Sequence, residues 1–500
     1  MSFHYYSMLL LVAVTTLVVL LLIKQRKKTA EASRLPPGPR KLPILGNLHQ
    51  LGRFPHLSIQ FLSQEYGPLM FLQLGSVPTI VISSADMARA ICKSHDIIFS
   101  GRPPLYVAEK ISYNFNDIVF GPYGETWRKI RKIAVLELLS SKRVQSLQAV
   151  RDEEVSSLLD HIACSSSGPV NLSRLSFLLT INFVCRVAFG KRYGNGENGS
   201  ASRIEEVMHE TLSLLGEFVI SDYFPWMRWL KKFDGLEARV EKNFRELDKL
   251  YDEVIKDHLD QTRPIHDDDH EDIVDALLRL RKDPGQRIAL TNQHIKGVLM
   301  DMFLAGTDTG ASTIVWTMAE LMKNPSAMKR AQDEVREVVK GKMKVEESDL
   351  DRLTYLKAVI KEALRLHPPV PLIPRETMED CTIGDYTIPA KTRVFIDLRS
   401  ISTDPKCWEN PCEFQPDRFL NSPIDFKGQH FELIPFGIGR RGCPGLNFAI
   451  PLIELALAHL LHRFEWKLPD GVEDLDMEAE FGLTVYKKTP LCLVATTVDV

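Results

Sequence analysis

The sequence lacks several patterns, and each absence argues against a class of protein. Its eight cysteines include no C-x-x-C pair, so neither a zinc site nor a disulfide framework is indicated, and a reducing compartment fits. The net charge is −3 and no basic block stands out beyond residues 24–28, so we expect no nucleic-acid partner. No internal repeat is present, which argues against a repeat architecture.

The first 23 residues lack Lys, Arg, Asp and Glu altogether, and Met8–Ile23 is apolar apart from two threonines. This run is just long enough to span a bilayer. A cleaved signal peptide would carry positive charge before its apolar run, whereas here the basic residues follow it, within Lys24–Lys28. We therefore predict a transmembrane signal anchor at residues 1–23, with the rest of the chain in the cytoplasm.

Residues 24–39 are predicted to be a basic flank and a proline-rich hinge. Pro36-Pro37-Gly38-Pro39 cannot continue a helix and favours a stiff, extended path that would fix the globular part relative to the anchor. We place one catalytic domain at residues 40–500, although length alone would suit about three domains. Because the domain is predicted to be cytoplasmic, the sequons at Asn171 and Asn198 should remain unglycosylated.

After the hinge, Leu69–Leu74 and Thr79–Ser83 are β-rich runs on either side of Gly75–Pro78, which predicts a hairpin. Most of the remaining chain up to residue 365 has the period of helices. An acidic run with two histidines, residues 266–272, could suggest a metal site. We interpret it as a solvated loop, because it follows Pro264 and charge runs are usually solvated.

A ten-residue stretch, Phe436–Gly445, places Cys443 just before an apolar helical run, Leu446–Leu461. Three glycines within six residues let the backbone turn tightly and approach a flat group. The N–H groups at the start of the helix would supply the positive potential that a thiolate needs. We interpret Cys443 as the ligand of a haem iron that activates dioxygen.

Two other interpretations of this stretch were weighed. The spacing Gly437-x-Gly439-x-x-Gly442 fits a dinucleotide-binding loop, but Pro435 disturbs the preceding run and His462 stands where an acidic residue is expected. A buried structural cysteine is the other alternative, since lone cysteines are usually buried. The flanking Phe, Gly and Arg residues favour the haem ligand.

The stretch resembles the haem-binding signature of the cytochromes P-450, F-x-x-G-x-R-x-C-x-G, which it matches at Phe436, Gly439, Arg441, Cys443 and Gly445. The resemblance implies haem b as cofactor, with Cys443 as its axial ligand. It also implies a mainly α-helical fold with a smaller β region, behind the N-terminal transmembrane helix. With its anchor, basic flank and hinge, the chain is similar to microsomal members, above all the plant A-type proteins of the seventy-one clan.

A long helix is predicted from Thr291, a good N-cap, to Met322, because Asn324-Pro325 stops it. About 32 residues give roughly 48 Å at about 1.5 Å per residue, enough to cross a domain. In its middle, Ala305–Thr309 interrupts an apolar stretch with small residues and hydroxyls, which by itself could be no more than a kink.

The same motif is similar to the oxygen-binding motif of the family. The resemblance implies that Thr309 delivers protons for oxygen activation, that Asp308 links it to solvent, and that Gly306 makes room for oxygen. The chain departs from the family at Gly310, where Thr or Ser is common, so hydrogen-bond support there is expected to differ or to come from water.

Two further arginines and a tryptophan are singled out, together with Arg441. Trp127 and Arg131 follow the turn Gly121–Gly124 and share a helix face at four-residue spacing. By resemblance this pair meets a haem propionate, and so do Arg375 and Arg441. Arginine suits that task because its planar fork binds a carboxylate with two hydrogen bonds.

Glu362 and Arg365 stand three residues apart on a helix that ends at His367, before two prolines. Alone, such a pair is usually a surface salt bridge. By resemblance Arg418, within Phe414–Phe419, joins them in a buried network that locks the haem pocket. We therefore expect these residues to govern folding and haem retention.

The substrate pocket is expected, from family position alone, to use the 103–120 loop, residues 481–485, and a turn after the prolines. Each residue is equally plausible as plain core. The candidates are Leu304, Ala305, Val370, Leu372, Ile373 and Leu483.

The function implied is a monooxygenase of the endoplasmic reticulum membrane, acting on a lipophilic terpenoid, alkaloid or phenolic of plant specialised metabolism. Its electrons would come from a separate NADPH-cytochrome reductase, for which Lys129, Lys132 and Arg440 are candidate contacts. A haem-thiolate isomerase or dehydratase, needing neither oxygen nor reductase, is an alternative against which Asp308-Thr309 argues. A non-catalytic haem sensor is another.

Overall fold

The structure of the protein is a computed structural model that describes residues 35–164, 168–193, 200–233, 235–260, 271–283, 290–342 and 344–498. The predicted anchor at residues 1–23 and its basic flank lie outside the described residues. The same holds for Asn198 and for the acidic run up to residue 270.

Helices make up most of the described chain, which confirms the predicted mainly helical fold with a smaller β region. They are α1 (Pro55–Tyr66), α2 (Ala85–Arg89), α3 (Tyr106–Ile111), α4 (Glu125–Ile133), α5 (Ser141–Ser146), α6 (Gln148–Cys164), α7 (Leu172–Phe189), α8 (Ser200–Gly216), α9 (Ile220–Tyr223), α10 (Leu236–Leu259), α11 (Ile273–Lys282), α12 (Asn292–Lys323), α13 (Pro325–Val339), α14 (Thr354–Leu366), α15 (Leu398–Ser402) and α16 (Leu446–Arg463). Shorter 3₁₀ or π turns include Ala134–Leu138, Pro225–Lys232, Pro416–Phe419 and Gly439–Arg441.

The smaller β region is built from short strands. They are β1 (Leu69–Leu74), β2 (Val77–Ile82), β3 (Val170–Asn171), β4 (Leu372–Glu376), β5 (Cys381–Ile383), β6 (Tyr386–Ile388), β7 (Arg393–Asp397), β8 (Phe464–Lys467), β9 (Ala479–Phe481), β10 (Val485–Lys487) and β11 (Cys492–Thr497). The largest sheet has the order β1-β2-β7-β4, in which β2 and β7 are parallel and the other pairs are antiparallel. The remaining pairings are β3-β11-β8, β5-β6 and β9-β10.

The longest helix, α12, lies at the centre of the fold. The Thr291 hydroxyl accepts a hydrogen bond from the His294 N–H at 3.2 Å, and the His294 ring accepts one from the Thr291 N–H at 3.2 Å. Both backbone N–H groups at the start of the helix therefore have an acceptor. Pro325 begins the next helix, and the predicted end at Met322 is confirmed to within one residue. The helix packs against α7, α14 and α16 and supplies much of the largest apolar cluster.

Among the described residues, one helix, α7, is long and apolar enough to cross a membrane. However, 72% of it is buried inside the protein, and it packs along α12. A helix that is apolar on all sides is expected where neighbours surround it, so α7 is a core helix.

The structure corrects three local predictions. The 103–120 loop contains a helix, α3. Leu372 and Ile373, expected on a turn, belong to β4, because the backbone there pairs with β7. The β1–β2 hairpin is confirmed, but its turn is only Gly75-Ser76, since Val77 and Pro78 already pair with β1.

The described part of the hinge packs against β1. The Phe71 N–H donates to the Pro37 carbonyl at 2.8 Å. A Cβ on Gly38 would lie 1.9 Å from the Phe71 carbonyl oxygen, so only glycine lets the chain run this close. The hinge is therefore attached to the sheet along its edge.

Candidate active site

The loop that carries Cys443 is held in a tight turn by two glycines. Gly437 and Gly439 have φ of +66° and +71°, in the left-handed region that favours glycine. The Cys443 N–H donates to the Phe436 carbonyl at 2.8 Å and closes the loop. Gly445 is the N-cap residue of α16, so the cysteine stands directly before that helix.

The Cys443 sulfur faces groups of positive potential. Burial raises the pKa of the thiol, while the N–H groups of Gly445 and Leu446 and the Arg131 guanidinium oppose that rise. The side chain is exposed although it lies deep inside the protein, so it lines an internal cavity. A metal ion would convert such a thiol into a stable thiolate, and this donor suits haem iron.

Arg441 and Trp127 pack against each other beside this loop. The guanidinium carbon lies 4.0 Å from the centre of the indole ring. Arg441 donates to the carbonyls of Ser100, Ile118 and Gly121, at 2.8, 3.3 and 2.6 Å. The Trp127 N–H also donates to the Ile118 carbonyl, at 2.9 Å. Trp127 therefore orients Arg441, and its N–H is not directed at a carboxylate as the resemblance implied.

Four arginines, Arg102, Arg131, Arg375 and Arg441, converge at this point. Burial and the neighbouring guanidinium charges lower the pKa of Arg441 to about 8 and that of Arg102 to about 10. So much positive charge away from water favours an anionic ligand. Arg102 was not singled out in the sequence, because Gly101-Arg102-Pro103 carries no pattern that distinguishes it from a surface arginine.

Arg375 gives the clearest test of fit to a haem. It is 1% exposed, and its Nη2 donates to the Ile438 carbonyl at 2.5 Å. Its Nε and Nη1 have no oxygen or nitrogen hydrogen-bond partner among the described residues. Asp96 Oδ1 lies 3.7 Å from Nη1, and the Cys92 thiol offers only a weak sulfur contact. Unsatisfied guanidinium donors suit a carboxylate, and haem carries two. The residues present fit a haem.

One face of α12 also lines the interior. On this mostly buried helix, Ala305 is exposed and Gly306 and Thr309 are partly exposed. The Thr309 hydroxyl donates to the Ala305 carbonyl at 2.7 Å. A Cβ on Gly306 would lie 3.9 Å from the ring of Phe448 in α16. This part of α12 therefore lies near the helix that starts just after Cys443.

Gly306 and Gly310 let α12 approach α7 closely. A Cβ on Gly306 would lie 3.0 Å from the Val184 side chain, and one on Gly310 would lie 3.2 Å from Thr180. Gly306 thus has a packing role against α7, and the room for oxygen that the resemblance implies at this residue stays a prediction. At Gly310, α7 occupies the space that a Thr or Ser side chain would need.

Asp308 is bonded to the β9–β10 hairpin. It is 1% exposed, and the Tyr486 hydroxyl donates to its Oδ2 at 2.7 Å. Burial raises the pKa of Asp308 to about 6, against the lowering effect of hydrogen bonds from Thr484 and Tyr486. The resemblance implied that Asp308 links Thr309 to solvent, and the partly exposed Tyr486 is bonded to Asp308.

Tyr486 and Thr484 are site residues that sequence reasoning missed. They stand two residues apart, on one side of an extended segment. In the sequence, their one signal is that two polar residues flank the apolar Val485, and this alternation is common to many strands. The hairpin is fixed at Val485, whose carbonyl accepts from Ser312 at 3.0 Å and Trp316 at 3.3 Å and whose N–H donates to Pro369 at 2.9 Å.

The predicted pocket residues divide into two groups. Side chains that are exposed or partly exposed are those of Ala305, Val370, Leu372, Ile373 and Leu483. Leu304, in contrast, is 4% exposed and belongs to the largest apolar cluster. We count it with the core, because it presents almost no surface to the cavity.

Glu362, Arg365 and Arg418 form one hydrogen-bonded network. Arg365 Nε and Nη2 donate to the two Glu362 carboxylate oxygens at 2.7 and 2.8 Å, and both side chains are 0% exposed. Arg418 Nε donates to Glu362 Oε1 at 3.0 Å, and Arg365 Nη1 also donates to the Ser402 and Pro411 carbonyls at 2.8 and 2.6 Å. The network ties α14 to the segment that leads to the cysteine loop.

The fold and the site define a class of protein. A thiol at the start of a helix can hold iron, the arginines suit the carboxylates of a porphyrin, and a hydroxyl-bearing helix face lies beside them. These are the requirements of a haem-thiolate protein that handles oxygen.

The chain belongs to the cytochrome P450 family, whose sequence profile matches residues 36–494. The resemblance stated from the Cys443 loop is thereby confirmed. Proteins of this family are monooxygenases, and their haem has a cysteine thiolate as its axial ligand. The chain is accordingly an oxidoreductase of this kind.

Known relatives agree with this assignment and come from plants. "Cytochrome P450 71A9" of Glycine max is 60% identical over 475 residues, 94% of this chain and 95% of that protein. "Strychnine-11-hydroxylase" of Strychnos nux-vomica is 57% identical, covering 94% and 92%. A solved structure of a zebrafish cytochrome P450 with abiraterone is 26% identical, with a TM-score of 0.75, covering 89% of this chain and 100% of that one.

Proposed function

We propose that the protein is a membrane-anchored monooxygenase that inserts one atom of dioxygen into a lipophilic small molecule of plant specialised metabolism. The observation that carries the proposal is the Cys443 thiol facing an internal cavity, beside a helix face that offers Thr309. A terpenoid, an alkaloid or a phenolic is the expected substrate. The relative named for strychnine hydroxylation supports this range.

The chemistry of the candidate pocket residues supports a lipophilic substrate. The exposed or partly exposed candidates, Ala305, Val370, Leu372, Ile373 and Leu483, are all apolar. Binding sites for small molecules are typically apolar with few polar groups that fix orientation. Apart from Thr309 these positions provide no side-chain donor or acceptor, so shape and apolar contact would select the substrate.

The chain's own residues would act around the cofactor as follows. When bound, the haem supplies the reductive activation of dioxygen. Cys443 is kept as a thiolate with help from the helix N–H groups and Arg131. Thr309 offers a hydroxyl to the cavity, and Asp308, with a pKa of about 6, can exchange a proton near neutral pH. Tyr486, partly exposed and bonded to Asp308, offers the route for that proton from solvent.

Electrons are proposed to come from a separate NADPH-cytochrome reductase. One face of α4 carries Trp127 and Arg131 at the site, so its opposite face is the outer surface near the cysteine loop. Of the three predicted contacts, Lys129 pairs with Glu125 at 2.7 Å and Arg440 with Asp96 at 3.3 Å. The exposed side chain of Lys132 is therefore the strongest of the three candidates.

Membrane association has support beyond the predicted anchor. An aromatic surface, defined as Ile44, Leu45, Trp226, Trp229 and Phe233, consists of side chains 46–79% exposed. The β1–β2 turn joins its two segments: Gly75 N–H donates to the Leu45 carbonyl at 3.1 Å, and Ser76 N–H to the Tyr223 carbonyl at 2.9 Å. Exposed tryptophans beside basic residues such as Lys231 suit the interface of a bilayer. The hinge enters the domain at the same sheet, beside β1.

The proposed localisation is the endoplasmic reticulum membrane, with a single span and the catalytic domain in the cytoplasm. In this arrangement the aromatic surface and the anchor contact one leaflet. The unglycosylated state predicted for Asn171 and Asn198 follows from the same orientation.

The decisive experiment reconstitutes the full chain with a plant NADPH-cytochrome reductase. Alkaloids, terpenoids and phenolics are first screened for a shift of the haem absorption band, and the compounds that shift it are then incubated with NADPH under ¹⁸O₂. We expect a product that carries one ¹⁸O atom and requires NADPH. A product formed without oxygen and NADPH would indicate an isomerase or dehydratase instead.

A further inference from the structure

Two buried carboxyl groups, Asp117 and Asp301, lie outside the residues discussed so far. They are 1% and 6% exposed, and they lie close enough for the charge of Asp117 to raise the pKa of Asp301. In both, the Oδ1 atom has no donor from another described residue. Two facing carboxyl groups can bond only when a hydrogen lies between them, so one proton shared by the pair would give these Oδ1 atoms their missing partner.

The second oxygen of each carboxyl holds the backbone of one loop, residues 112–121. Asp301 Oδ2 accepts the Ile118 N–H at 2.6 Å, and Asp117 Oδ2 accepts the Phe120 N–H at 2.8 Å. The loop is thereby bonded both to α12 and to itself.

Gly297 explains how the loop comes so close to α12. It stands four residues before Asp301 and so shares a face of the helix with it. A Cβ on Gly297 would lie 2.2 Å from the carbonyl oxygen of Asn116. Gly297 and Asp301 therefore form one contact surface for the loop. Any side chain at residue 297 would push the loop away from α12.

The loop in turn supplies carbonyl groups to the arginine cluster. Three of its residues accept hydrogen bonds from site side chains: Ile118 from Arg441 Nη1 at 3.3 Å and Trp127 Nε1 at 2.9 Å, Gly121 from Arg441 Nη2 at 2.6 Å, and Val119 from Arg102 Nε at 2.8 Å. A shift of the loop would therefore move the donors that are expected to meet the haem.

We propose that Asp117 and Asp301 are positioning residues for the haem: an acid–carboxylate pair that fastens loop 112–121 to α12 and sets the carbonyl groups that orient Arg441, Arg102 and Trp127. The inference concerns how the cofactor is held and does not depend on the substrate or on the reductase. Neither residue has to touch the cofactor.

The electrostatics of the pair give it a definite pH dependence. The Arg102 and Arg441 guanidinium groups face Asp117, and the buried Tyr251 hydroxyl of α10 faces Asp301. Burial, and then the charge of Asp117, raises the pKa of Asp301 well above its ordinary value, and burial raises that of Asp117 to about 6. The shared proton is therefore present at neutral pH and is lost as the pH rises through the raised pKa of Asp301. Two facing carboxylates then repel, so the loop loosens on the alkaline side.

The test measures the rate at which the haem-loaded full chain gives up its haem to excess apomyoglobin, from neutral to alkaline pH. Asp301→Ala removes the acceptor of the Ile118 N–H and the carboxyl partner of Asp117. We therefore expect haem loss at least about tenfold faster at neutral pH. Asp301→Asn keeps both contacts, because the amide can donate to Asp117 and accept from Ile118. It should lose haem at nearly the unmutated rate and lack the alkaline acceleration of the unmutated protein.

Asp397→Asn is the matched control. Asp397 is 0% exposed and burial raises its pKa to about 6, but it caps α15, a task that Asn also performs. Its haem loss should match the unmutated protein at every pH. If Asp301→Ala does not accumulate, the pH profiles of the unmutated protein and of Asp301→Asn decide. The proposal is overturned if Asp301→Ala retains haem normally, or if Asp301→Asn shows the same pH profile as the unmutated protein.

Discussion

Two threonines within the α12 motif make the same hydrogen bond but differ in exposure. Thr307 donates to the Phe303 carbonyl and Thr309 to the Ala305 carbonyl, both at 2.7 Å. Thr307 is 0% exposed, whereas Thr309 is partly exposed toward the cavity. The two hydroxyl groups therefore have the same local hydrogen bond, and only exposure to the cavity distinguishes Thr309, the proposed proton donor, from Thr307.

We predict that Thr309→Ala keeps haem and substrate binding but wastes electrons as peroxide. Without the Thr309 hydroxyl the site would deliver protons poorly, so product formed per NADPH should fall on the order of tenfold or more. The measurement is that ratio, with reconstituted reductase. Thr307→Ala is the matched control and should stay coupled. Equal coupling in Thr309→Ala and the unmutated enzyme would remove Thr309 from the mechanism.

A second residue-scale prediction concerns Tyr486→Phe. The Tyr486 hydroxyl stabilises the Asp308 carboxylate at 2.7 Å, so its loss should raise the pKa of Asp308 above about 6, by up to about one unit. An acid with a raised pKa stays protonated to higher pH. The step in coupling that follows Asp308 ionisation should therefore move to higher pH.

This shift has a control and an independent readout. Infrared difference spectra can follow the Asp308 carboxyl band, identified by its loss in Asp308→Asn. Tyr386→Phe alters a partly exposed tyrosine of β6 outside the site and should leave the band unchanged. An Asp308 band that titrates identically in Tyr486→Phe would show that the hydroxyl does not act on this carboxyl.

At the scale of elements, the Glu362 network joins α14 to residues 402–418, which begin at the end of α15. The Arg365 guanidinium donates hydrogen bonds to the carbonyls of Ser402, Pro411 and Glu413. One buried side chain therefore holds three points of the chain. Because Glu362 and Arg365 are 0% exposed, removing either leaves an unpaired charge in the interior.

We predict that Glu362→Ala and Arg365→Ala fail to accumulate as haem-loaded protein. Breaking a buried pair typically costs about 3–5 kcal/mol, a large part of the stability of a protein. Haem content per folded protein is the measurement. Lys329→Ala, which breaks an exposed pair with Asp333 on α13, should load haem normally. Mutants of the network that load haem fully and lose only activity would contradict the structural role.

At the scale of the whole molecule, the hinge, the β1–β2 turn and the aromatic surface meet at one end. The core helices α7 and α12 belong to the largest apolar cluster, whereas β1 and β2 pack in two other clusters, and α7 and α12 need no membrane to be buried. Membrane contact is therefore expected at one side of the domain, where the chain enters from its predicted anchor.

We predict that deletion of residues 1–28 releases much of the protein from membranes, with residual binding through the aromatic surface. Changing Trp226, Trp229 and Phe233 to serine in the truncated protein should abolish the remaining membrane binding, because Trp side chains favour the membrane–water interface. Vesicle flotation measures both effects. Leu136→Ser removes a side chain that is 55% exposed outside this surface and should have no effect. A truncated protein that stays fully integral would show that residues 1–23 are not the anchor.

The local elements followed from the sequence wherever one strong signal governed them. Thr291 and Pro325 set the limits of α12, and Gly75-Ser76 set the β1–β2 hairpin. Capping, proline geometry and strand alternation act between near neighbours, so they can be read without knowing the fold. The Cys443 loop, with its glycines at positive φ, belongs to the same group.

Contacts between distant segments were decided only by the tertiary structure. Asp308 meets Tyr486, 178 residues away, and Asp301 meets Ile118, 183 residues away. Gly306 and Gly310 are needed because α7 packs closely against them. Arg102 joins the arginine cluster only because its loop packs against β4 and the 112–121 loop. The sequence by itself determined the thiolate loop, the long helix and the family, because those signals are local. Only packing decided which buried acids, arginines and hydroxyls face one another, because that depends on how helices far apart in the chain come together.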